Sequence, residues 1–230
     1  MRRPTVLLFD VDGTLISSDG AGRRAIERAF AARHRSGSEA CRHFSFSGMT
    51  DRAIVRAGLT ALRVEPTEAA IAELLDVYLD FLDAELAAAR NFRVLPGVEA
   101  ALDAASARGE IALGLGTGNL RVGARKKLDH AKLWHRFPFG GFADDGEGRA
   151  ALIRAGAERG AARLRVPLAL CRVVIVGDSP LDVAAARANF FESLAVATGP
   201  HPQDELRATA PDHLVADLAA PEALGLLLGE

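Results

Sequence analysis

The chain has 230 residues, 49% of them hydrophobic and 25% charged, with a formal net charge of −2. That length admits one large domain or a core with a smaller companion, and the composition is that of an ordinary globular protein. The near-neutral balance gives no reason to expect nucleic acid or an anionic membrane as partner, although a small phosphate site needs only local positive charge.

Met1-Arg2-Arg3-Pro4 followed by the apolar run Thr5–Phe9 superficially resembles a signal peptide. The run stops at Asp10, short of the roughly 7–15 residues of an h-region, and reads instead as a first strand. From Ile16 to Asn91 no convincing strand occurs, and the interval reads as helices over Ala21–Arg35, Asp51–Leu59 and Thr67–Arg90. In the last of these Thr67 is an N-cap after Pro66, and Ile71, Leu74, Leu75, Tyr78, Leu79, Leu82 and Leu86 form one apolar stripe. Glu73, Asp76, Asp80 and Asp83 fall mostly on the other side and read as a solvated face. Leu95-Pro96-Gly97 opens another helix. Further apolar, β-rich runs lie at Ile111–Leu115, Arg172–Val176 and Ser193–Ala197, with weaker ones near Phe137–Phe142 and His213–Val215. After Arg172–Val176 comes a helix expected to end at Asn189 in a left-handed C-terminal position.

Strands alternating with Ala-rich helices predict an α/β fold, a doubly wound, Rossmann-like parallel sheet covered on both faces. The helical interval after the first strand predicts a small all-α cap. The expected division is 1–15 and 92–230 for the core and 16–91 for the cap, with a return hinge near Asn91–Gly97. Cys41 and Cys171 fit no metal or redox spacing and are expected as free thiols of a reducing, cytoplasmic environment. The six histidines show no ligand spacing, and no uncharged apolar stretch approaches the roughly 18 residues of a membrane span. A soluble monomer or homodimer is expected.

Ligands of such sheets gather at the carboxyl ends of the strands, where strand order reverses. Three of those ends carry chemistry: Asp10-Val11-Asp12-Gly13-Thr14-Leu15, Gly116-Thr117-Gly118-Asn119, and Gly177-Asp178-Ser179-Pro180-Leu181-Asp182. In kind, order and placement these resemble motifs I, II and IV of the haloacid dehalogenase superfamily, in its phosphatase branch with a helical cap after the first core strand (phosphoglycolate phosphatase-like). The resemblance covers residues 5 to about 198. It implies Mg²⁺-dependent hydrolysis of a small phosphorylated metabolite.

The residue types suit that chemistry. A carboxylate at a strand end, Asp10, can attack phosphorus and split one hard hydrolysis into two displacements. A dianion beside it requires neutralisation by a metal held by carboxylates, for which Asp10, Asp178 and the Asp12 carbonyl are the expected ligands, with Asp182 steering metal-bound water or orienting a basic residue. The resemblance makes Asp12 general acid to the leaving oxygen and then general base for water, a role that calls for a raised pKa. Gly13 is expected to turn the backbone sharply and Thr14 to cap the element after it. Thr117 and the amides of Gly118 and Asn119 are expected to bind phosphoryl oxygens, with a helix N-terminus behind them. Phe46-Ser47-Gly48-Met49-Thr50-Asp51-Arg52 is the cap segment expected to face the nucleophile. In it Thr50 is either a substrate contact or, like Asp51, an N-cap.

The third motif departs from the family pattern. It is normally a Lys, but the only lysines are Lys126, Lys127 and Lys132, and the expected position holds Arg149. A guanidinium can bridge carboxylate and phosphate, with different geometry from an ammonium. Arg149 is the first choice for the missing cation, and Lys126 or Lys127 the second. The alternatives to a phosphatase are an idle homologue that binds phosphate or a partner without turnover, and a 2-haloacid dehalogenase, against which Asp12 argues.

Overall fold

The computed structural model describes residues 3–230; Met1 and Arg2 lie outside it. In chain order it contains β1 (Thr5–Phe9), β2 (Ile16–Ser17), α1 (Ala21–His34), α2 (Gly37–Cys41), α3 (Asp51–Ala61), α4 (Glu68–Ala87), β3 (Arg93–Val94), α5 (Val98–Ser106) and β4 (Ile111–Gly116). Then come α6 (Arg121–His130), β5 (Gly140–Gly141), α7 (Arg149–Leu164), β6 (Arg172–Gly177), α8 (Pro180–Ala188), β7 (Glu192–Val196), α9 (Gln203–Ala208), β8 (His213–Val215) and α10 (Ala223–Leu228). Six strands form one parallel sheet in the order β5-β4-β1-β6-β7-β8. Strand order reverses about β1, so the carboxyl ends of β1, β4 and β6 open on the crevice where a doubly wound sheet takes its ligand.

Every residue of β1 is buried because it lies between two strands and beneath helices on both faces. One apolar cluster packs Leu7 and Phe9 with Leu102, Leu128 and Val215, and a second packs Val6 and Leu8 with Ile153 and Ala157 of α7. The helices between β2 and β3 build a third cluster of their own around Phe30, Leu59, Ile71 and Tyr78. The stripe read on α4 is that cluster's wall, except that Leu79 is only half-buried, and Glu73, Asp76, Asp80 and Asp83 are exposed.

Four expectations need correction. Ile16 and Ser17 are a strand, pairing antiparallel with Arg93 and Val94 to form a two-stranded neck below the helical segment. Two residues are too few to show the alternation by which a strand is read. The helix expected to run to Arg90 ends at Ala87, and the weak run Phe137–Phe142 is strand only at Gly140–Gly141. Asn189 is not left-handed (φ −101°), because its side chain is spent on the carbonyls of Ala150 and Ala185, both at 2.9 Å. The left-handed position falls to Phe190 (φ 58°), which is 98% exposed.

Candidate active site

Asp10 comes directly after β1, and its backbone N–H donates to Val176 O at 2.9 Å, tying it to the neighbouring strand β6. Asp178, one residue past β6, and Asp182, in the first turn of α8, join it. The three carboxylates bring one oxygen each within 4.8 Å of one another, all buried. Burial and the facing Asp182 charge push the Asp10 carboxyl up to about 6, although Arg149 works against them. Burial, then the charges of Asp10 and Asp182, raise Asp178 well above the ordinary carboxylate range. A donor set so crowded with negative charge fits a hard divalent cation.

Asp182 is less free than the other two. Its Oδ2 accepts from Ser179 N at 3.1 Å and Ser179 Oγ at 2.7 Å, closing the capping box of α8. Its Oδ1 accepts from Arg149 Nε at 2.9 Å and Nη2 at 2.5 Å. Arg149 opens α7, with an 8% exposed side chain, and the same Nη2 lies 2.8 Å from Asp10 Oδ2. Its Nη1 donates to Gly48 O at 2.9 Å, in the segment before α3. Lys126, by contrast, pairs on the surface with Asp83.

The turn after β1 is built around Asp178. Gly13 has φ 81°, a conformation that favours glycine, and a Cβ there would overlap the Asp178 carboxylate. Gly199, unread in the sequence, crowds the same carboxylate from the other side. Thr14 does not cap a following element as expected. The chain continues into β2, and the Thr14 hydroxyl donates to Asp178 Oδ1 at 3.0 Å.

Asp12 also departs from the expectation of a raised pKa. Its side chain is partly open to the cavity, yet the carboxyl sits below the usual range rather than above it. Burial pushes it up, but the Lys127 ammonium and hydrogen bonds from Lys127, Ser18 and Asn119 together outweigh that. Lys127 Nζ lies 2.5 Å from Asp12 Oδ2, Asn119 Nδ2 donates to that oxygen at 3.1 Å, and Ser18 Oγ donates to Oδ1 at 2.8 Å. So Lys127 does stand in the site, beside Asp12 and not Asp10. The signal for it lay in α6, whose buried positions are Gly123, Ala124, Lys127 and Leu128, a lysine on an apolar face.

The loop after β4 is more committed than expected. Thr117 is buried, its N–H donates to Gly141 O at 3.0 Å, and its hydroxyl accepts from Asn119 N at 3.2 Å and Asn119 Nδ2 at 2.9 Å. The Asn119 amide is therefore spent within the turn. The first amides leading into α6 are also taken, Leu120 N by Asp51 Oδ2 at 2.8 Å and Arg121 N by Asp144 Oδ2 at 2.6 Å. Those carboxylates occupy the N-terminus of α6 that the sequence offers to an anion. Thr50 is the N-cap of α3, accepting from Ala53 N at 3.1 Å and donating to Glu147 O at 3.3 Å, so its hydroxyl is occupied too. Asp51, missed as a site residue, is buried, donates its N–H to Gly118 O at 2.7 Å, and is pushed up to about 6 mainly by burial.

These groups surround one cavity of about 540 Å³ between the sheet ends and the helical segment, with Ile26, Phe46, Met49 and Tyr78 as apolar wall and Asp10, Asp12 and Asp178 at its floor. The segment expected to face the nucleophile does so through Phe46, Ser47, Gly48, Met49 and Asp51.

A doubly wound α/β sheet thus carries a carboxylate cluster and a bridging guanidinium at its switch point, where such sheets take their ligands. Residues 4–189 match the family model described as haloacid dehalogenase-like hydrolase, and the chain belongs to that family. No curated protein matches it. Among solved structures it resembles a hydrolase from Pseudomonas syringae (TM-score 0.71, 19% identity, 94% of each chain covered). It also resembles a predicted phosphatase from Clostridium acetobutylicum (TM-score 0.71, 20% identity, 100% of each chain). A third likeness is to CbbY from Rhodobacter sphaeroides in complex with phosphate (TM-score 0.67, 18% identity, 95% of this chain and 96% of that one). At such identities the likeness is one of fold. No helix among the described residues is long and apolar enough to cross a membrane.

Proposed function

We propose that this hydrolase is a Mg²⁺-dependent phosphomonoesterase that acts on a small phosphorylated metabolite through an aspartyl-phosphate on Asp10. The observation that carries the reading is the contact of Arg149 with both Asp10 and Asp182 beside Asp178, because it joins a nucleophile, a metal-type donor set and a cation for the phosphoryl group. Asp10 and Asp178, with the Asp12 carbonyl, would hold Mg²⁺, and Asp182 would lie behind them, since both its oxygens are engaged by Ser179 and Arg149. The ion would neutralise phosphoryl oxygens as a Lewis acid.

In the first displacement an Asp10 oxygen bonds to phosphorus as the ester P–O bond breaks, and the leaving oxygen takes a proton from the Asp12 carboxyl. In the second, water gives a proton to Asp12, bonds to phosphorus, and releases Asp10 and inorganic phosphate. The low resting pKa of Asp12 makes it a base in the empty site. A phosphoryl dianion beside it adds negative charge that pushes the carboxyl back towards its acid form. Arg149 keeps Asp10 and the phosphoryl oxygens together, with Thr117 and the Gly118 amide as further phosphate contacts. Residues 16–91 would act as a cap, and its segment 45–49 would face the leaving group. The fold likeness to a protein in complex with phosphate supports the reading.

The test is phosphate release from a generic aryl phosphate by purified protein with Mg²⁺. Asp10→Asn should abolish it while circular dichroism stays unchanged, and turnover near the wild-type rate in that variant would remove the covalent mechanism.

A further inference from the structure

The second buried cation has no part in the mechanism above. Lys127 is 5% exposed and projects from the apolar face of α6, where an ammonium is costly unless closely paired. Its Nζ meets Asp12 Oδ2 and also donates to Asn119 Oδ1. Asn119 Nδ2 reaches the same Asp12 oxygen, and Ser18 Oγ holds the other. Both Asp12 oxygens are thereby fixed by donors from three segments: the stretch after β2, the loop after β4, and α6. The nucleophile has its own cation in Arg149.

Resting on the phosphatase reading, we propose that Lys127 is a positioning residue for Asp12: it holds the acid–base carboxyl towards the leaving group, while Arg149 serves the nucleophile and the phosphoryl group. In the first displacement Asp12 passes from carboxylic acid to carboxylate as its proton goes to the departing oxygen. Lys127 keeps all its protons, and its hydrogen bond to Oδ2, charge-assisted from the start, becomes a full ion pair as that negative charge forms. The contact is therefore stronger in the transition state than before it, which is the condition for raising kcat rather than lowering KM.

The experiment compares wild-type, Lys127→Met and Lys127→Arg with Mg²⁺ on two esters, 4-nitrophenyl phosphate and glycerol phosphate. The readout is the rate of the first equivalent of alcohol released, which reports the first displacement alone. Glycerol is a poor leaving group that needs the proton, whereas 4-nitrophenolate leaves without one. Lys127→Met should lose about a hundredfold on glycerol phosphate, the lower range of what a general acid contributes, and less than about tenfold on the aryl ester, with KM nearly unchanged. Lys127→Arg should recover part of the loss. In an Asp12→Asn background Lys127→Met should cost almost nothing more, since two residues acting as one unit are not additive. Equal losses on both esters, a change confined to KM, or additivity with Asp12→Asn would overturn the assignment. If Lys127→Met does not fold, Lys127→Gln carries the same comparison. A wild-type protein inert towards both esters would overturn the phosphatase reading itself, and this inference with it.

Discussion

Arg149→Ala tests the unusual cation most directly. The side chain is 8% exposed and ties together Asp10, Asp182 and the Gly48 carbonyl, so its removal leaves three clustered carboxylates with no fixed positive charge among them. Breaking a buried ion pair from one side costs about 3–5 kcal/mol of stability, most of it the charge left behind. Loss of one charged contact to a transferring phosphoryl group costs about 2.7–4 kcal/mol in the barrier, or two to three powers of ten in kcat. The two effects separate on addition of Mg²⁺. A cation binding the bared carboxylates should restore much of the thermal stability, whereas kcat should stay low because the guanidinium also orients Asp10. Arg149→Lys should regain part of kcat but show a higher KM, since an ammonium cannot span two carboxylates and Gly48 O together. Steady-state kinetics and thermal melts at graded Mg²⁺ measure both. Wild-type kcat in Arg149→Ala, or a kcat that returns in step with melting temperature, would refute the reasoning.

Three further outcomes are expected. Excess chelator should stop turnover and Asp178→Ala should weaken Mg²⁺ binding in calorimetry; full activity without divalent ions would favour a dehalogenase instead. Asp51 rises to about 6 in the fold from 3.8, so the folded state holds its proton more tightly and stability is lost as pH rises from about 4 to about 6. At about two pKa units the loss is about 3 kcal/mol, read as the difference between wild-type and Asp51→Asn in denaturant melts with saturating Mg²⁺; the same pH dependence in both proteins would contradict it. The Tyr78 hydroxyl is buried without a hydrogen-bond partner among the described residues, so Tyr78→Phe should raise stability by about 1 kcal/mol, and a lower melting temperature would show that the hydroxyl has a partner after all.

The geometry of a parallel sheet decides how much of the site is legible in the sequence. When all strands point one way, the residue after each apolar run arrives at the same edge, so Asp10, Thr117 and Asp178 can be brought together from their order along the chain alone. Arg149 is legible by its position after the third strand, at the start of the next helix, where the family pattern has a Lys. The rest depends on reach rather than order. Lys127 finds Asp12 through a long side chain from a helix face, and Asp51 finds Leu120 N only when α3 sits on the loop after β4. The expected sign of the Asp12 shift fails for the same cause, since it is set by a cation 115 positions away in the chain. Thr50 is open to two readings in the sequence, and the structure shows its hydroxyl spent on α3 and on Glu147.

Charge accounts for the shape of the whole site. Five carboxylates, Asp10, Asp12, Asp51, Asp178 and Asp182, converge at the inner end of one cavity with two cations, Arg149 and Lys127, among them, while the more exposed Asp19 and Arg23 add one charge of each sign to its lining. If all were ionised, three negative charges would be left over in a largely dry region, and the fold answers by raising Asp10, Asp51 and Asp178. On the proposed phosphatase reading a phosphate ester would add to that excess, and it would be favoured only when a divalent cation enters with it or before it. The protein cations are not substitutes for that ion, because each is already committed to carboxylates on a different side of the cavity. Arg149 holds the side of Asp10 and Lys127 the side of Asp12. A change that moved either to the other side would leave one aspartate with the wrong tendency to ionise, even though the net charge of the pocket stayed the same.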